Sequence, residues 1–119
     1  MTTARAILEM GMGNDLHGKD YTKAAVRAVK DAMHHSSLHF LKSLDIVKEQ
    51  VIVNVKVGVQ KPEAVDINEI KSLIPIGIVQ IYVEEGGLDV VDDEAGDTLV
   101  IASAALEVML PKLKTELTI

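Results

Sequence analysis

Gly11-Met12-Gly13-Asn14-Asp15-Leu16-His17-Gly18-Lys19-Asp20-Tyr21-Thr22-Lys23 joins a strand-like segment to a helix-like one, and its reading decides how the chain folds. Before it, Arg5 to Met10 reads as a short strand, with Ala4, Ala6, Leu8 and Met10 on one face and Arg5, Ile7 and Glu9 on the other. After it, Asp20 to about His35 reads as a helix. There Ala25, Val26, Val29, Ala32 and Met33 form one apolar stripe at helical spacing, and Asp20 or Thr22 is a suitable N-cap. The connection between them carries three glycines, two aspartates, a histidine and two lysines. Glycine lets a backbone come close to a ligand, and ionisable groups at a helix start are costly to assemble without a use, so this is the expected site.

The same reading extends along the chain. Ser36 to Val47 is a connection with apolar anchors. Val51 to Val59 is the clearest strand, its valines alternating with Ile52, Asn54, Lys56 and Gly58. Asp66-Ile67-Asn68-Glu69 is a capping-box pattern that opens a short helix ended by Pro75 and Gly77. Ile78 to Glu84 is a third strand with Val79, Ile81 and Val83 inward. Gly86-Gly87 reads as a turn, and Leu88 to Val91 as a short continuation. Asp92 to Asp97 is a solvated acidic loop. Thr98 to Leu110 fits both a long strand, by its alternation, and a helix over the alanine-rich Ala102 to Met109; the strand is the favoured reading, and residues 111–119 read as a tail. The order β-α-β-α-β-β predicts one α+β domain over residues 1–119. It is a two-layer sandwich, with a mixed sheet of about four strands and two helices on one face.

Composition excludes several classes. Twelve basic against eighteen acidic residues give a net charge of −6, without the basic footprint that nucleic-acid binding needs. No cysteine means no disulfide and no thiolate chemistry. No apolar run approaches the roughly 18 residues of a membrane span, and Met1 to Arg5 leads straight into the strand pattern, so cytoplasm is the expected compartment. Ile7, Ile52, Ile78 and Tyr82 are expected on the sheet face away from the helices, among Glu9, Asn54, Lys56 and Gln80. A half-apolar face in so small a domain predicts a homo-oligomer.

The string Gly-Met-Gly-x-Asp-x-His-Gly-x-Asp-x-Thr-Lys-Ala-Ala-x-Arg-Ala, from Gly11 to Ala28, resembles the signature of a family of small bacterial conserved hypothetical proteins, the "Lin" family. Gly58 with Pro62-Glu63-x-Val65-Asp66, and Glu85-Gly86-Gly87-Leu88, resemble its second and third motifs. That resemblance covers all but the C-terminal tail and implies no assigned activity. Lys19-Asp20-Tyr21-Thr22-Lys23 is also similar to the helix start in one repeat of the ring-opening amidohydrolases, cyanuric acid hydrolase and barbiturase. Those enzymes pair a lysine after the first strand with a serine after the second. Here the first place falls near Gly11 or Met12, and Val57-Gly58-Val59-Gln60 holds no serine.

Two functions fit these residues. In a small-molecule enzyme or binding protein, His17 is the acid/base and Asp15 the carboxylate that orients it. Gly11, Gly13, Asp20, Thr22, Lys23, Arg27 and Glu63 then hold the ligand, a small cyclic amide or an anionic metabolite, in a site shared between subunits. Glu63 joins them if the first two strands are parallel neighbours. In a non-catalytic oligomeric module, Asp15 holds a turn, Asp20 caps the helix, and Lys23, Arg27, Lys30 and His34 are a solvated face. Asp15, His17 and Asp20, or His34, His35 and His39, are the groupings that a metal would require. Neither has an established ligand spacing, and the sequence names no metal or cofactor.

Overall fold

In a computed structural model that describes residues 3–34 and 50–111, the chain runs in eight steps. They are β1 (Thr3–Asp15), α1 (Tyr21–His34), β2 (Ile52–Val59), a 3₁₀ turn (Pro62–Ala64), α2 (Ile67–Lys71), β3 (Ile78–Glu85), β4 (Leu88–Asp92) and β5 (Asp97–Pro111). The strands form one mixed sheet in the order β1-β5-β2-β3, with β4 also paired to β5. β5 is antiparallel to β1, β2 and β4, while β2 and β3 are parallel. The α+β class holds, with five strands where about four were expected. Leu88–Asp92 is a strand in its own right, lying along β5 beyond the point where β2 leaves it.

The first strand does not stop at Met10. It continues through the glycines to Asp15, with Gly11, Gly13 and Asp15 buried and Met10, Met12 and Asn14 exposed. The reason is contact with α1. A Cβ on Gly11 would lie 2.4 Å from the backbone nitrogen of Ala32, and one on Gly13 would lie 2.2 Å from that of Ala28. The helix meets this strand with Ala24, Ala25, Ala28 and Ala32, all fully buried, so backbone packs on backbone. Glycine here serves a helix–strand approach, which in sequence looks like a glycine-rich loop. The parity of β1 follows. Ile7 packs toward the core, and Leu8 with Met10 stands on the open face, the reverse of the expected assignment. A register shift between Arg5 and Ile7 adjusts the start of the strand.

The core lies between the sheet and α1. Val53, Val55, Val57 and Val59 of β2 and Val100, Leu106 and Val108 of β5 meet Val29 and the alanine face of the helix. Val51 to Val59 thus behaves as its alternation predicts. α2 packs at the β3 side, its start capped by Asp66, whose Oδ1 accepts from the N–H of Asn68 at 3.0 Å.

Glu85-Gly86-Gly87 is not a hairpin turn. It carries the chain from β3, beside β2, across the end of β2 to β4, beside β5. Gly87 takes φ +61° there, with the carbonyls of Ile101 and Gly58 where a Cβ would sit. Among the described residues no helix is long and apolar enough to cross a membrane. The expected connection over Ser36 to Val47, with His35 and His39, and the tail from Lys112 lie outside the described residues.

Gly13→Ala is expected to lower the unfolding free energy by about 3 kcal/mol, because the added methyl meets helix backbone that has no rotamer to change. Gly96→Ala, at φ +64° with open space around it, is expected to cost only about 1 kcal/mol. Urea unfolding of the two variants checks the contrast.

Candidate functional site

The end of β1 and the start of α1 bring most of the expected site residues together. Asp15 is 2% exposed. Its Oδ2 accepts the backbone N–H of Asp20 at 2.9 Å, and its Oδ1 lies 3.7 Å from Lys23 Nζ and 4.0 Å from an Arg27 guanidinium nitrogen. That same nitrogen of Arg27 donates to the carbonyl of Asn14 at 2.7 Å. Asp20 Oδ1 accepts the N–H of Lys23 at 3.0 Å, the N-cap bond of α1. Thr22 Oγ1 donates to the carbonyl of Ala64 at 3.3 Å and accepts the N–H of Asp66 at 2.9 Å. Each of these polar groups is therefore engaged by the fold itself. Asp15 is a buried charge satisfied by a backbone donor and two cations, an arrangement that a junction needs whether or not a ligand is present.

Glu63 does come to this end of the sheet, by a different route from the one expected. β1 and β2 point the same way but are separated by β5, so the two loops are not on neighbouring strands. The charge of Glu63 is felt by Tyr21, the first residue of α1. Tyr21 is buried, and its hydroxyl donates to Asp89 Oδ2 on β4. Its pKa is pushed up to about 12, mainly by burial, then by the hydrogen bond to Asp89 and the charges of Asp89 and Glu63. The other oxygen of Asp89 is buried without a partner. Sequence reading did not single out this pair. The available signal was an aspartate flanked by Leu88 and Val90 in a strand, on the face turned to the helix.

His17 stands apart from Asp15. It is 85% exposed, and its Nδ1 lies 2.7 Å from Oδ2 of Asp97, across at the β4–β5 turn. That bond, with a second from the N–H of Thr98 at 2.9 Å, holds the Asp97 carboxyl below its ordinary range. The expected pairing of His17 with Asp15 is thus replaced by one with Asp97, a residue that the sequence placed in a solvated loop. The reason is that Asp15 points inward from a strand while His17 lies beyond the strand end. A His–carboxylate pair is one part of an acid/base device. Here the surrounding groove is lined by Leu16, Val90, Val91 and further carboxylates, with no lysine, arginine, serine or threonine among the described residues of its lining. Among the described residues no three His, Cys, Asp or Glu side chains are placed to hold a metal, so Asp15, His17 and Asp20 do not form the expected cluster.

Gly11 and Gly13 spend their close approach on α1 rather than on a ligand. On the other face of the sheet lies a groove of about 710 Å³, between Met10 and Met12 on one side and Lys56 and Glu84 on the other, with Ser103 between them. The backbone of Gly11 reaches it from below.

The model of a family described as "Conserved hypothetical protein (Lin0512_fam)" matches residues 5–108. The crystal structure of an FtsZ-like protein of unknown function from Nostoc punctiforme PCC 73102 is similar, at 35% identity and a TM-score of 0.78. The match covers 94% of this chain and 99% of that one. No curated protein matches. Neither match supports the resemblance to ring-opening amidohydrolases.

Alkaline titration followed by tyrosinate absorbance is expected to show one tyrosine ionising at about pH 12, and Tyr21→Phe is expected to abolish that step. Since the folded pKa is raised above the ordinary tyrosine value of 10.0, the stabilisation is complete below about pH 10 and is lost as pH rises through about 12. Tyr21→Phe also strips Asp89 of its donor, at an expected cost of about 1–3 kcal/mol in urea unfolding. For Asp97 the sign is opposite: the pairing is present above the ordinary carboxylate pKa and is lost as pH falls through the lowered value. Carbon-detected NMR titration should show the Asp97 pKa rising in His17→Ala.

Proposed function

Because the chain belongs to the conserved hypothetical family Lin0512_fam, whose description names no activity, its function is read from its own surfaces, and we propose that it is a self-associating module that works through the open face of its sheet. One observation carries this reading. Leu8, Met10 and Met12 of β1 and Ile78 and Tyr82 of β3 are exposed on that one face, and α1 covers the other. Met10, Ala105, Lys56 and Tyr82 lie in one row across the sheet, and Leu8, Glu107, Asn54 and Gln80 in the next. Apolar side chains so gathered and rimmed by polar ones mark an interaction surface. Fully burying a side chain such as Leu or Met contributes about 1.5–3 kcal/mol.

A second copy of the chain is the fitting occupant. The face carries both signs of charge, with Arg5 3.6 Å from Glu107 and Lys56 opposite Tyr82 between strands that bear Glu84 and Glu107. A surface with both signs can oppose itself across a two-fold axis. The first connection supports a structural role instead, since Asp15, Asp20, Lys23 and Arg27 are engaged with one another and with backbone.

Sedimentation equilibrium is expected to give a multiple of the 12.9 kDa chain mass. Met10→Glu together with Met12→Glu is expected to give the monomer mass with an unchanged far-UV circular dichroism spectrum. A wild-type monomer at all micromolar concentrations would sink the reading.

A further inference from the structure

We propose that the outer edge of β3 pairs with β3 of a second copy, antiparallel about a two-fold axis at Ile81, so that the two sheets become one. This contact lies at the side of the sheet and not on its open face, so it stands or falls separately from pairing through that face.

The backbone sets which groups this edge offers. β3 is the last strand on its side of the sheet, with β2 its one partner among the described strands. The N–H of Ile78 donates to the carbonyl of Val51 at 2.7 Å, and past the other end the N–H of Gly86 donates to that of Val59 at 3.0 Å. In a ladder every second residue faces the neighbouring strand, so Ile78, Gln80, Tyr82 and Glu84 turn their N–H and C=O to β2. Val79, Ile81, Val83 and Glu85 turn theirs outward, and among the described residues no group is bonded to them.

The other free edges carry guards that this one lacks. On β1 the N–H of Met12 is taken by Asp31 at 2.9 Å, and the register shifts between Arg5 and Ile7. β4 is only five residues long and bears Asp89 and Asp92. Occupied donors, bulges, short strands and charges all discourage a strand from pairing with another chain. β3 runs for eight residues in unbroken register with β2 and holds no proline, lysine or arginine. Its charges are confined to Glu84 and Glu85, at one end. An edge of that kind is a template for a further strand.

The order of residues along β3 selects a second copy as the occupant. About an axis at Ile81, Val79 pairs with Val83 of the second copy and Ile81 with Ile81, on the helix side, where all three are only partly buried. Gln80 meets Tyr82 on the other side, and the outward N–H groups of Val79, Ile81 and Val83 each find a carbonyl. Glu84 then lies opposite Ile78, and the two Glu84 side chains stand about 20 Å apart, beyond the Debye length of about 8 Å. A parallel pairing would instead set Glu84 and Glu85 against their own copies. One strand a side is well short of the roughly 20–30 residues a side of a standard interface, so the contact is weak, with a dissociation constant on the order of 0.1 mM.

The test uses the full-length 15N-labelled Met10→Glu/Met12→Glu variant, in which the open face is disabled, with amide hydrogen exchange read by NMR at about 20 µM and about 2 mM. Over that range a dissociation constant of about 0.1 mM takes the single-chain fraction from about 75% to about 15%, so exchange at Val79, Ile81 and Val83 is expected to slow about fivefold. Gln80 and Tyr82, bonded to β2, are expected to be protected at both concentrations. Ile81→Pro removes an N–H that makes no bond within the chain, and is expected to abolish the concentration dependence while keeping the far-UV circular dichroism spectrum. If that variant unfolds, Val79→Pro, near the start of the strand, gives the same reading. Three outcomes would each overturn the proposal: fast exchange at all three residues at both concentrations, concentration-dependent shifts centred outside residues 78–85, or a dependence that survives the proline. Because the open face is disabled in every sample, failure of the edge and failure of the face are distinguishable.

Discussion

The contact between α1 and β1 is closer than any side chain would allow, and much of the domain is arranged around keeping it so. Gly11 and Gly13 leave their positions empty, and the helix answers with Ala24, Ala28 and Ala32, so the two backbones touch. A helix so close to a strand can start only a few residues after that strand ends. The short link is held by the Asp15 carboxylate, which reaches forward to the N–H of Asp20, and by Asp20, which caps the first turn. Thr22 then ties the turn to the Ala64–Asp66 segment, and Tyr21 ties it to β4 through Asp89. At the edge of β1 the same helix supplies the Asp31 carboxylate to the N–H of Met12, satisfying a donor that an edge strand would otherwise offer to another chain. A core built from small and β-branched residues, nearly without aromatics, is what so thin a layer of space requires.

How far the fold could be read from sequence depended on whether a residue's type reported its own burial. The valines at 51 to 59 did, because in a half-buried strand an apolar side chain at every second position has one interpretation. Asp66 with Asn68 and Glu69 did, because a cap is a local event. Gly11, Gly13 and Asp15 did not. They alternate as strictly as the valines, but the buried member of each pair is a glycine or a carboxylate. The information that makes those residues inward-facing lies in a helix that begins at Tyr21. The β4 strand was missed in part for a related reason: Asp89 looks like a surface residue until Tyr21 is seen to cover it.

The candidate site was legible as a cluster but not as a role. Asp15, Asp20, Thr22, Lys23 and Arg27 do gather, as the crowded stretch predicts, and Glu63 joins their surroundings. What sequence cannot state is whether polar groups that gather will satisfy one another. Here they do, leaving His17 to find Asp97, far along the chain. Among the described residues Lys56, Ser103 and Glu84 make no side-chain hydrogen bond or ion pair, and they come from three different strands and form no motif. Only the register of β5 with β2, and of β2 with β3, sets them side by side. A constellation assembled by non-local pairing has no spacing in sequence to betray it.

The turn between β4 and β5 and the open face of the sheet differ in their charge. Asp92, Asp93, Glu94 and Asp97 crowd the turn between β4 and β5, beside the exposed Leu16, Val90 and Val91. Two copies that met there would bring like charges together at short range, which opposes association even though apolar side chains are present. The open face has the reverse character. Its apolar residues are more spread, but Arg5 and Lys56 stand among Glu84 and Glu107, so the face carries charges of both signs. The acidic turn therefore disfavours close approach of a like-charged surface, and the His17–Asp97 bond ties the β1–α1 link to that turn above the pH at which Asp97 takes up a proton.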